Sequence, residues 1–384
     1  MIGLAVALGV GRFAFTPLLP LMLADGAIGL KAGSWLASAN YAGYFVGAVS
    51  CAALRVAPAR MVRFGLAATV LLTAAMGVGH LLPVWLAVRF VAGVVSAWTF
   101  VFVSQWGLRR LAELHAPEWS GVIYAGPGVG IVLTGLIGSA LAGQRAAWGW
   151  LGFAALSAVL SVAIWRTFGG TSAPGLTSSG GAPRAPAAAA PAATPRHRAD
   201  AVSLVALYAM PGFGYIITAT FLPVIARAAL PAGSPWPDLF WPMFGAALIV
   251  GAIAAARLPA HWDNRLLLAG GCVTQALGIA AGIVRPNAAG FSLGSVLLGL
   301  PFTAITLFAM REARRLHGER AAGLMGYATA SYGVGQIAGP LVAAPLVAQS
   351  GSFTPVLWIA AASLVAGAAG FAMRASRGRR WSPD

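Results

Sequence analysis

Apolar stretches of about twenty residues follow one another along almost the whole chain. A helix that crosses a bilayer needs about 20 such residues. Only 9% of the 384 residues are charged, against about 25% in soluble domains. The sequence therefore predicts an all-α membrane protein with twelve transmembrane helices, over residues 1–23, 33–54, 64–82, 84–106, 120–142, 147–165, 201–226, 238–257, 266–284, 288–310, 322–347 and 355–373.

The stretch between the sixth and seventh spans has a different composition. Residues 167–200 alternate Ala, Pro, Gly and Ser and carry almost no large side chain. Such a segment cannot bury apolar area, which predicts a disordered linker. We therefore expect a six-helix half over residues 1–166, a cytoplasmic linker over 167–200, a second half over 201–373 and a cytoplasmic tail over 374–384. The first apolar run lacks a basic n-region, so we expect a retained span and not a signal peptide.

Basic residues are distributed unequally between the two sides of these spans. With the N-terminus in the cytoplasm, nineteen arginines fall on the cytoplasmic side and four basic residues on the other. This positive-inside pattern predicts a multi-pass protein of the bacterial inner membrane with both termini cytoplasmic. The net charge of +16 would otherwise suggest a nucleic-acid partner, but that reading needs a basic surface patch. Two cysteines and five scattered histidines predict neither a metal site nor a cofactor.

The two sets of six spans share short motifs in register. Each motif of the first set recurs 203 or 205 residues later, as Gly9-Val-Gly11 with Gly212-Phe-Gly214, Leu19-Pro20 with Leu222-Pro223, Arg109-Arg110-Leu111 with Arg314-Arg315-Leu316, and Gly128-Val-Gly130 with Gly333-Val-Gly335. Parallel six-span halves joined by a linker are the architecture of major facilitator transporters, whose halves rock about a midplane site.

Three longer stretches carry a resemblance to a known family. GRFAFTPLLP at residues 11–20, ANYAGY at 39–44 and GFGYIITATFLP at 212–223 resemble the YbfB/YjiJ branch of bacterial major facilitator transporters. Residues 89–97 (Arg-x-x-x-Gly-x-x-x-Ala) resemble a motif whose arginine is linked to proton coupling, and residues 126–130 (Gly-Pro-Gly-Val-Gly) resemble the core of the antiporter motif. The second loop lacks the acidic residue of the family's Gly-x-x-x-Asp-Arg pattern. The resemblance implies a secondary transporter, and we expect it to be a monomer.

Arg12 is the most informative single residue. An arginine at the centre of a span costs about 2.5–3.5 kcal/mol on insertion scales and normally faces the bundle interior or a wet cavity. All nine acidic residues map to loops or span ends, so Arg12 has no evident carboxylate partner in the sequence. Either it binds an anionic substrate, or it is a structural arginine that bonds the carbonyls of a broken helix. The repeat register places Tyr215 opposite it.

Other polar side chains within spans form the wider candidate set. With Arg12, the predicted substrate-binding residues are Asn40, Tyr41, Tyr44, Trp98, Tyr124, Tyr215, Trp241, Gln275, Tyr332 and Gln336. Several of them can instead tie helices together, as can Tyr208 and Tyr327. The predicted coupling or gating residues are Asp25, Arg89, Arg109, Arg110, Arg314 and Arg315.

These candidates have simpler readings too. Arg89 lies near the outer end of its span and can snorkel to the interface. The basic clusters can act as orientation signals beside anionic lipid, or they can form salt bridges between the halves with Glu113, Glu312 and Glu319. Glycine pairs spaced four apart, such as Gly126 and Gly130, favour close helix packing over a hinge.

The favoured function is uptake of a small organic solute, by our reading an anion, by alternating access. Its expected partners are that solute and membrane lipids, and protons are a candidate coupling ion. Proton-antiport efflux of a metabolite or drug is the alternative, supported by the Gly-Pro core of the fifth span. A membrane enzyme or receptor is disfavoured, because no set of His, Asp, Glu or Cys is concentrated at one membrane face and neither class needs two matched halves.

Overall fold

The computed structural model describes residues 1–116, 119–168, 195–259, 261–318 and 321–379, and these form twelve helical spans. Their bounds are α1, Ile2–Ala24; α2, Leu30–Ser50; α3, Pro58–Val78; α4, Leu82–Glu113; α5, Gly121–Ala140; α6, Ala146–Trp165; α7, Pro195–Ala229; α8, Trp236–Arg257; α9, Asn264–Val284; α10, Ala288–His317; α11, Ala321–Ser350; and α12, Thr354–Arg379. All but α2 are long and apolar enough to cross a membrane. From α2, the hydroxyls of Ser38 and Tyr41 make hydrogen bonds to the other half.

Several helices continue beyond the apolar stretches that predicted them. The helix α4 reaches Glu113, and α10 reaches His317. The predicted spans ended at residues 106 and 310, which placed the following arginines in loops. That placement is wrong, because the structure puts them on helices: Arg109, Arg110, Arg314 and Arg315. Arg and Glu are good helix formers, so the backbone hydrogen bonds continue after the apolar residues end.

The predicted linker is only partly within the described residues. Of residues 167–200, the stretch 169–194 lies outside them. At its two ends, Arg166–Phe168 form a short 3-10 turn, and the helix α7 already begins at Pro195.

The helix α1 is irregular around Arg12. After a first turn, Ala5–Val10 form a π-helical segment, and regular α-helix resumes only at Phe15. Pro17 contributes to this break because it has no backbone N–H to continue the hydrogen-bond ladder. All residues from Gly3 to Met22 are buried, so α1 is a central element and not a lipid-facing one.

The helix packing of the first six spans is repeated in the last six. In the first half α1 packs on α5, α2 on α4, and α3 on both α4 and α6; in the second half α7 packs on α11, α8 on α10, and α9 on both α10 and α12. These equivalent pairs confirm the predicted fold of two pseudo-symmetric six-helix halves.

Glycines make the equivalent close approaches in both halves. A Cβ atom on Gly9 would lie 2.4 Å from the Cα atom of Gly130, and one on Gly212 would lie 2.4 Å from the carbonyl oxygen of Tyr332. Gly9 and Gly212 correspond in the sequence repeat, and both sit where α1 or α7 crosses its partner helix. Small residues are typical of such crossings in lipid, which supports the packing interpretation of the glycine motifs.

The two halves meet along four pairs of helices, α1 with α7, α1 with α8, α2 with α11 and α5 with α8. At the α5–α8 contact, a Cβ atom on Gly128 would lie 2.7 Å from the carbonyl oxygen of Gly245. The α1–α7 contact is made by the regular part of α1, Phe15–Ala24, which directly follows the irregular segment that carries Arg12.

Candidate functional site

Arg12 lies in the seam between the halves and is only 5% exposed. Its Nη2 atom donates a hydrogen bond of 2.7 Å to Oε1 of Gln336, which belongs to α11 of the other half. Its guanidinium carbon lies 4.0 Å from the ring centroid of Tyr44 and 5.3 Å from that of Tyr41. Aromatic faces attract a cation, so two rings and one amide surround this buried charge.

Gln336 connects Arg12 to Tyr215. Its Nε2 atom donates a hydrogen bond to the hydroxyl of Tyr215 on α7. The Tyr215 ring stacks on Tyr332 at 5.8 Å, and Tyr332 in turn stacks on Tyr208 at 4.8 Å. The sequence repeat predicts Tyr215 opposite Arg12, and the structure places the Gln336 amide between the two.

Neutral hydrogen bonds join the halves between Arg12 and the loop that follows α1. The Thr16 hydroxyl donates to the carbonyl of Ala219 at 2.9 Å, and the hydroxyls of Tyr41 and Thr220 lie 2.8 Å apart. Thr16 and Ala219 are 203 residues apart, the same interval as in the sequence repeat. These contacts close this side of the seam, and neither of them is a salt bridge.

Aromatic side chains form the other wall around Arg12. The Phe13 ring lies 6.0 Å from those of Trp241 and Phe302 in edge-on geometry, and Trp241 stacks on Phe244 at 5.0 Å. The indole N–H of Trp241 is buried and has no hydrogen-bond partner among the described residues. The wall therefore offers apolar surface together with one unused donor.

The charge of Arg12 has no carboxylate partner within the described part of the chain. The ion pairs found there involve other arginines. The Nε atom of Arg12 is buried and makes no hydrogen bond to a described residue. A buried charge normally needs such a partner, so the arrangement suits a small organic anion that would supply it.

Arg89 does not snorkel, and that interpretation is wrong. It is 2% exposed and points into its own half. Its Nη1 and Nη2 atoms donate to the carbonyls of Gly11 and Arg12 at 3.5 and 3.3 Å. The break in α1 leaves carbonyls that need donors, and Arg89 supplies them. The role of structural arginine at a broken helix thus belongs to Arg89, which positions the segment that carries Arg12.

Four candidates from the sequence make their described contacts within one half. Asn40 donates to the carbonyl of Arg89 at 3.0 Å, and the Trp98 indole donates to the Ser50 hydroxyl at 3.0 Å. Gln275 donates to the carbonyl of Leu298 at 3.3 Å, and the Tyr124 ring lies 6.3 Å from Phe100. These contacts tie neighbouring helices together. The other candidates form one connected group, in which Arg12 contacts Tyr41, Tyr44 and Gln336, Tyr215 and Tyr332 follow from Gln336, and Trp241 joins through Phe13.

The coupling candidates at the helix ends also make local contacts. Asp25 accepts a hydrogen bond of 2.7 Å from the backbone N–H of Ala146, at the start of α6. Arg110 pairs with Glu113 one turn away on the same helix, where both side chains are about half exposed. Such exposed pairs contribute little to stability. Arg109 and Arg314 are exposed.

Glu312 belongs to a charged network that the sequence analysis missed. Its carboxylate, 2% exposed, accepts hydrogen bonds of 2.6 and 2.8 Å from Arg315 and lies 3.8 Å from Arg265. Burial alone would raise the pKa of Asp263, but hydrogen bonds from Arg265 outweigh burial and hold that pKa below its usual value. The alternative of salt bridges between the halves is therefore not found for Glu113 and Glu312, which pair within their own halves. Glu319 lies outside the described residues.

Comparisons with known proteins agree with this architecture. The family described as "Uncharacterised MFS-type transporter YbfB" matches residues 4–371. No curated protein matches the chain in sequence. Among solved structures, a mutant of the nucleoside transporter NupG is similar over 97% of this chain and 99% of its own, with a TM-score of 0.67 and 15% sequence identity. At that identity the likeness shows the fold, which confirms the predicted fold class.

Proposed function

The chain belongs to the YbfB type of major facilitator transporters, and from that premise we propose that it imports a small organic anion by alternating access. Family membership makes it a transporter and not an enzyme. The nature of the solute and the direction of transport are our proposals. They depend on the chemistry of the seam between the halves.

The observation that carries the proposal is the environment of Arg12. This arginine is buried between the two halves, and no described carboxylate neutralises it. A guanidinium presents a planar fork of donors that matches a carboxylate. Arg12 uses one Nη2 donor on Gln336, and its Nε donor has no described partner. An incoming carboxylate would therefore find both an unpaired charge and a free donor.

We propose that the Gln336 amide occupies the position that the substrate's charged group would take. Its amide oxygen is a neutral acceptor 2.7 Å from Nη2 of Arg12. Hydrogen bonds to a charged acceptor are roughly twice as strong as neutral ones. A carboxylate would therefore displace the amide oxygen from Arg12, and the tyrosine rings around it would select the size and shape of the rest of the solute.

Displacement of Gln336 would also link binding to movement of the halves. Gln336 bridges Arg12 in the first half to α11 and, through the Tyr215 hydroxyl, to α7. A ligand shifts a conformational equilibrium only by its different affinity for the two states. An anion that breaks this bridge binds better to a state in which α1 and α11 have separated, which favours rocking of the halves.

Proton-antiport efflux is the alternative, and its sequence support has another explanation. In the antiporter-like stretch, a Cβ atom on Gly130 would lie 2.4 Å from the carbonyl oxygen of Ala5. Close packing against α1 therefore accounts for this glycine. NupG is a nucleoside transporter, so nucleosides belong in any ligand screen.

We also propose the orientation and assembly expected from the sequence. The asymmetry of the arginines favours cytoplasmic termini and an inner-membrane location. We propose that the functional unit is a monomer. Protons are the proposed coupling ion.

The test is a thermal-shift screen of the purified protein with paired ligands. Each organic acid is compared with its neutral amide, and sugars, amino acids and nucleosides complete the panel. A ligand that binds the native state raises the apparent melting temperature. The proposal expects at least one acid to stabilise the protein far more than its amide does. Stabilisation only by neutral compounds would overturn the proposal that the solute is an anion.

A further inference from the structure

A groove of about 430 Å³ lies on the outside of the seam between α2 and α11. The two helices are joined further along, where the Ser38 hydroxyl donates to the carbonyl of Ile337 at 2.9 Å. The groove lies between the start of α2 and the end of α11. The described lining comes from these two helices alone. Because α1 and α7 do not contribute, the groove is separate from the site at Arg12.

The groove is polar at one end and apolar along the rest of its length. Lys31, the second residue of α2, and Gln349, the last but one of α11, lie at the level where both helices reach the membrane boundary. One turn deeper, Trp35 is 51% exposed, and the groove continues along Leu341, Ala344 and Pro345. A phospholipid has the same arrangement, with a charged headgroup at one end and an apolar acyl chain beyond it.

Lys31 supplies the charge that such a headgroup would meet. It is the one lysine of the chain, it is exposed, and it forms no salt bridge with a described residue. A lysine at a helix end can extend its amine to the headgroup level, and tryptophan is enriched at that same level. The positive charge at the mouth is complementary to a phosphate.

We propose that this groove binds one anionic phospholipid, with its phosphate on Lys31 and one acyl chain between α2 and α11. The lipid lies in the groove between the two halves, so it contacts both of them at once. Since α2 and α11 belong to different halves, a bound lipid would resist changes in their separation at this end. This inference does not depend on the identity of the transported solute.

Native mass spectrometry of the detergent-purified protein provides the test. The protein is titrated with phosphatidylglycerol or with phosphatidylcholine of the same acyl chains. We expect the first phosphatidylglycerol to bind more tightly than the first phosphatidylcholine. Lys31→Gln should weaken phosphatidylglycerol binding about fivefold, the typical effect of one basic residue near anionic lipid. Arg285→Gln is the matched control, because Arg285 is also exposed at the same side but does not line the groove.

A second variant tests the acyl-chain part of the groove. Ala348 lines it and is exposed, so Ala348→Trp should fill it and weaken binding of both lipids. Ala254→Trp, at an exposed position on α8, should not. Unchanged lipid binding in both Lys31→Gln and Ala348→Trp would overturn the proposal. So would a dimer of the wild-type chain that only Ala348→Trp dissociates, since the groove would then be an interface between two copies.

The wild-type protein offers an independent measurement. Because Lys31 carries the one side-chain amine, an amine-reactive ester reports directly on its exposure, and the modified peptide is identified by mass spectrometry. We expect labelling of Lys31 to be several-fold slower in phosphatidylglycerol nanodiscs than in phosphatidylcholine nanodiscs. Equal labelling rates in the two lipids would contradict a headgroup contact at Lys31.

Discussion

Replacing Gln336 with glutamate would put a negatively charged acceptor, fixed to the protein, in the place of the neutral amide that now accepts from Arg12. The side chains have nearly the same shape, so the new carboxylate would lie about where the amide oxygen now accepts from Nη2 of Arg12. If Arg12 binds an anion, that anion must now displace a charged group held on the same protein. Gln336→Glu should therefore bind the substrate acid poorly.

The size of the effect follows from the change in the acceptor. A hydrogen bond to a charged group contributes about 1.5–3 kcal/mol, against about 0.5–1.5 kcal/mol for a neutral one. The extra 1 to 2 kcal/mol corresponds to a loss of roughly five- to thirtyfold in affinity for the acid. Because the introduced charge is paired with Arg12, the melting temperature should change little.

Gln275→Glu provides the matched control for burying a new carboxylate. Gln275 is 1% exposed, but its Nε2 atom donates to a backbone carbonyl, and its Oε1 atom has no described partner. A buried charge without a partner costs about 3–5 kcal/mol, so this variant should lose thermal stability where Gln336→Glu does not. Calorimetric titration with the best acid from the screen, and thermal melts of the same samples, measure both effects. Wild-type affinity in a folded Gln336→Glu protein would refute the displacement argument.

Three further predictions concern the scaffold and its orientation. Arg89→Gln removes the donors that hold the carbonyls of Gly11 and Arg12 and should lower the melting temperature. Arg89→Lys should recover part of that loss. A melting temperature of Arg89→Gln equal to that of the wild type would contradict this role. Gly9→Ala should destabilise the protein, because its methyl group would lie 2.4 Å from the Cα atom of Gly130. Gly152→Ala should not, because no atom lies within 4 Å of the added methyl group. Equal melting temperatures of the two variants would show that the close approach is unimportant. With Cys51 and Cys272 replaced, a cysteine at Ser234 should react with an impermeant thiol reagent in intact cells and one at Ser376 should not, and the reverse labelling would overturn the proposed orientation.

Much of the fold could be predicted because lipid imposes simple requirements. A span must be apolar for about 20 residues, so the chain shows its helices directly. The predicted ends were wrong where helices continue past the apolar stretch, as α4 does to Glu113. Hydropathy reports the depth of the bilayer, but the hydrogen bonds of the backbone decide where a helix ends.

The candidate site was partly predictable for a different reason. The sequence repeat placed Tyr215 opposite Arg12, and the same interval relates Thr16 to Ala219, a contact that could have been found in this way. The contacts of Arg89 could not be predicted, because its position in α4 says nothing about the break in α1 beside it. Likewise, the sequence could not separate Gln275 from Gln336, since every buried amide seeks a partner and only the fold shows which one it finds.

The central claim is that Arg12 recognises the negative charge of a solute that the protein carries across the membrane. Counterflow in proteoliposomes tests it most directly, with the best acid from the screen loaded inside and its labelled form supplied outside. The account predicts that wild-type protein accumulates the label transiently and that Arg12→Gln, inserted in equal amount, does not. It also predicts that Arg12→Lys, which keeps the charge but loses the planar fork, gives a reduced signal. Counterflow by Arg12→Gln at the wild-type rate, or equal transport of the neutral amide, would contradict it.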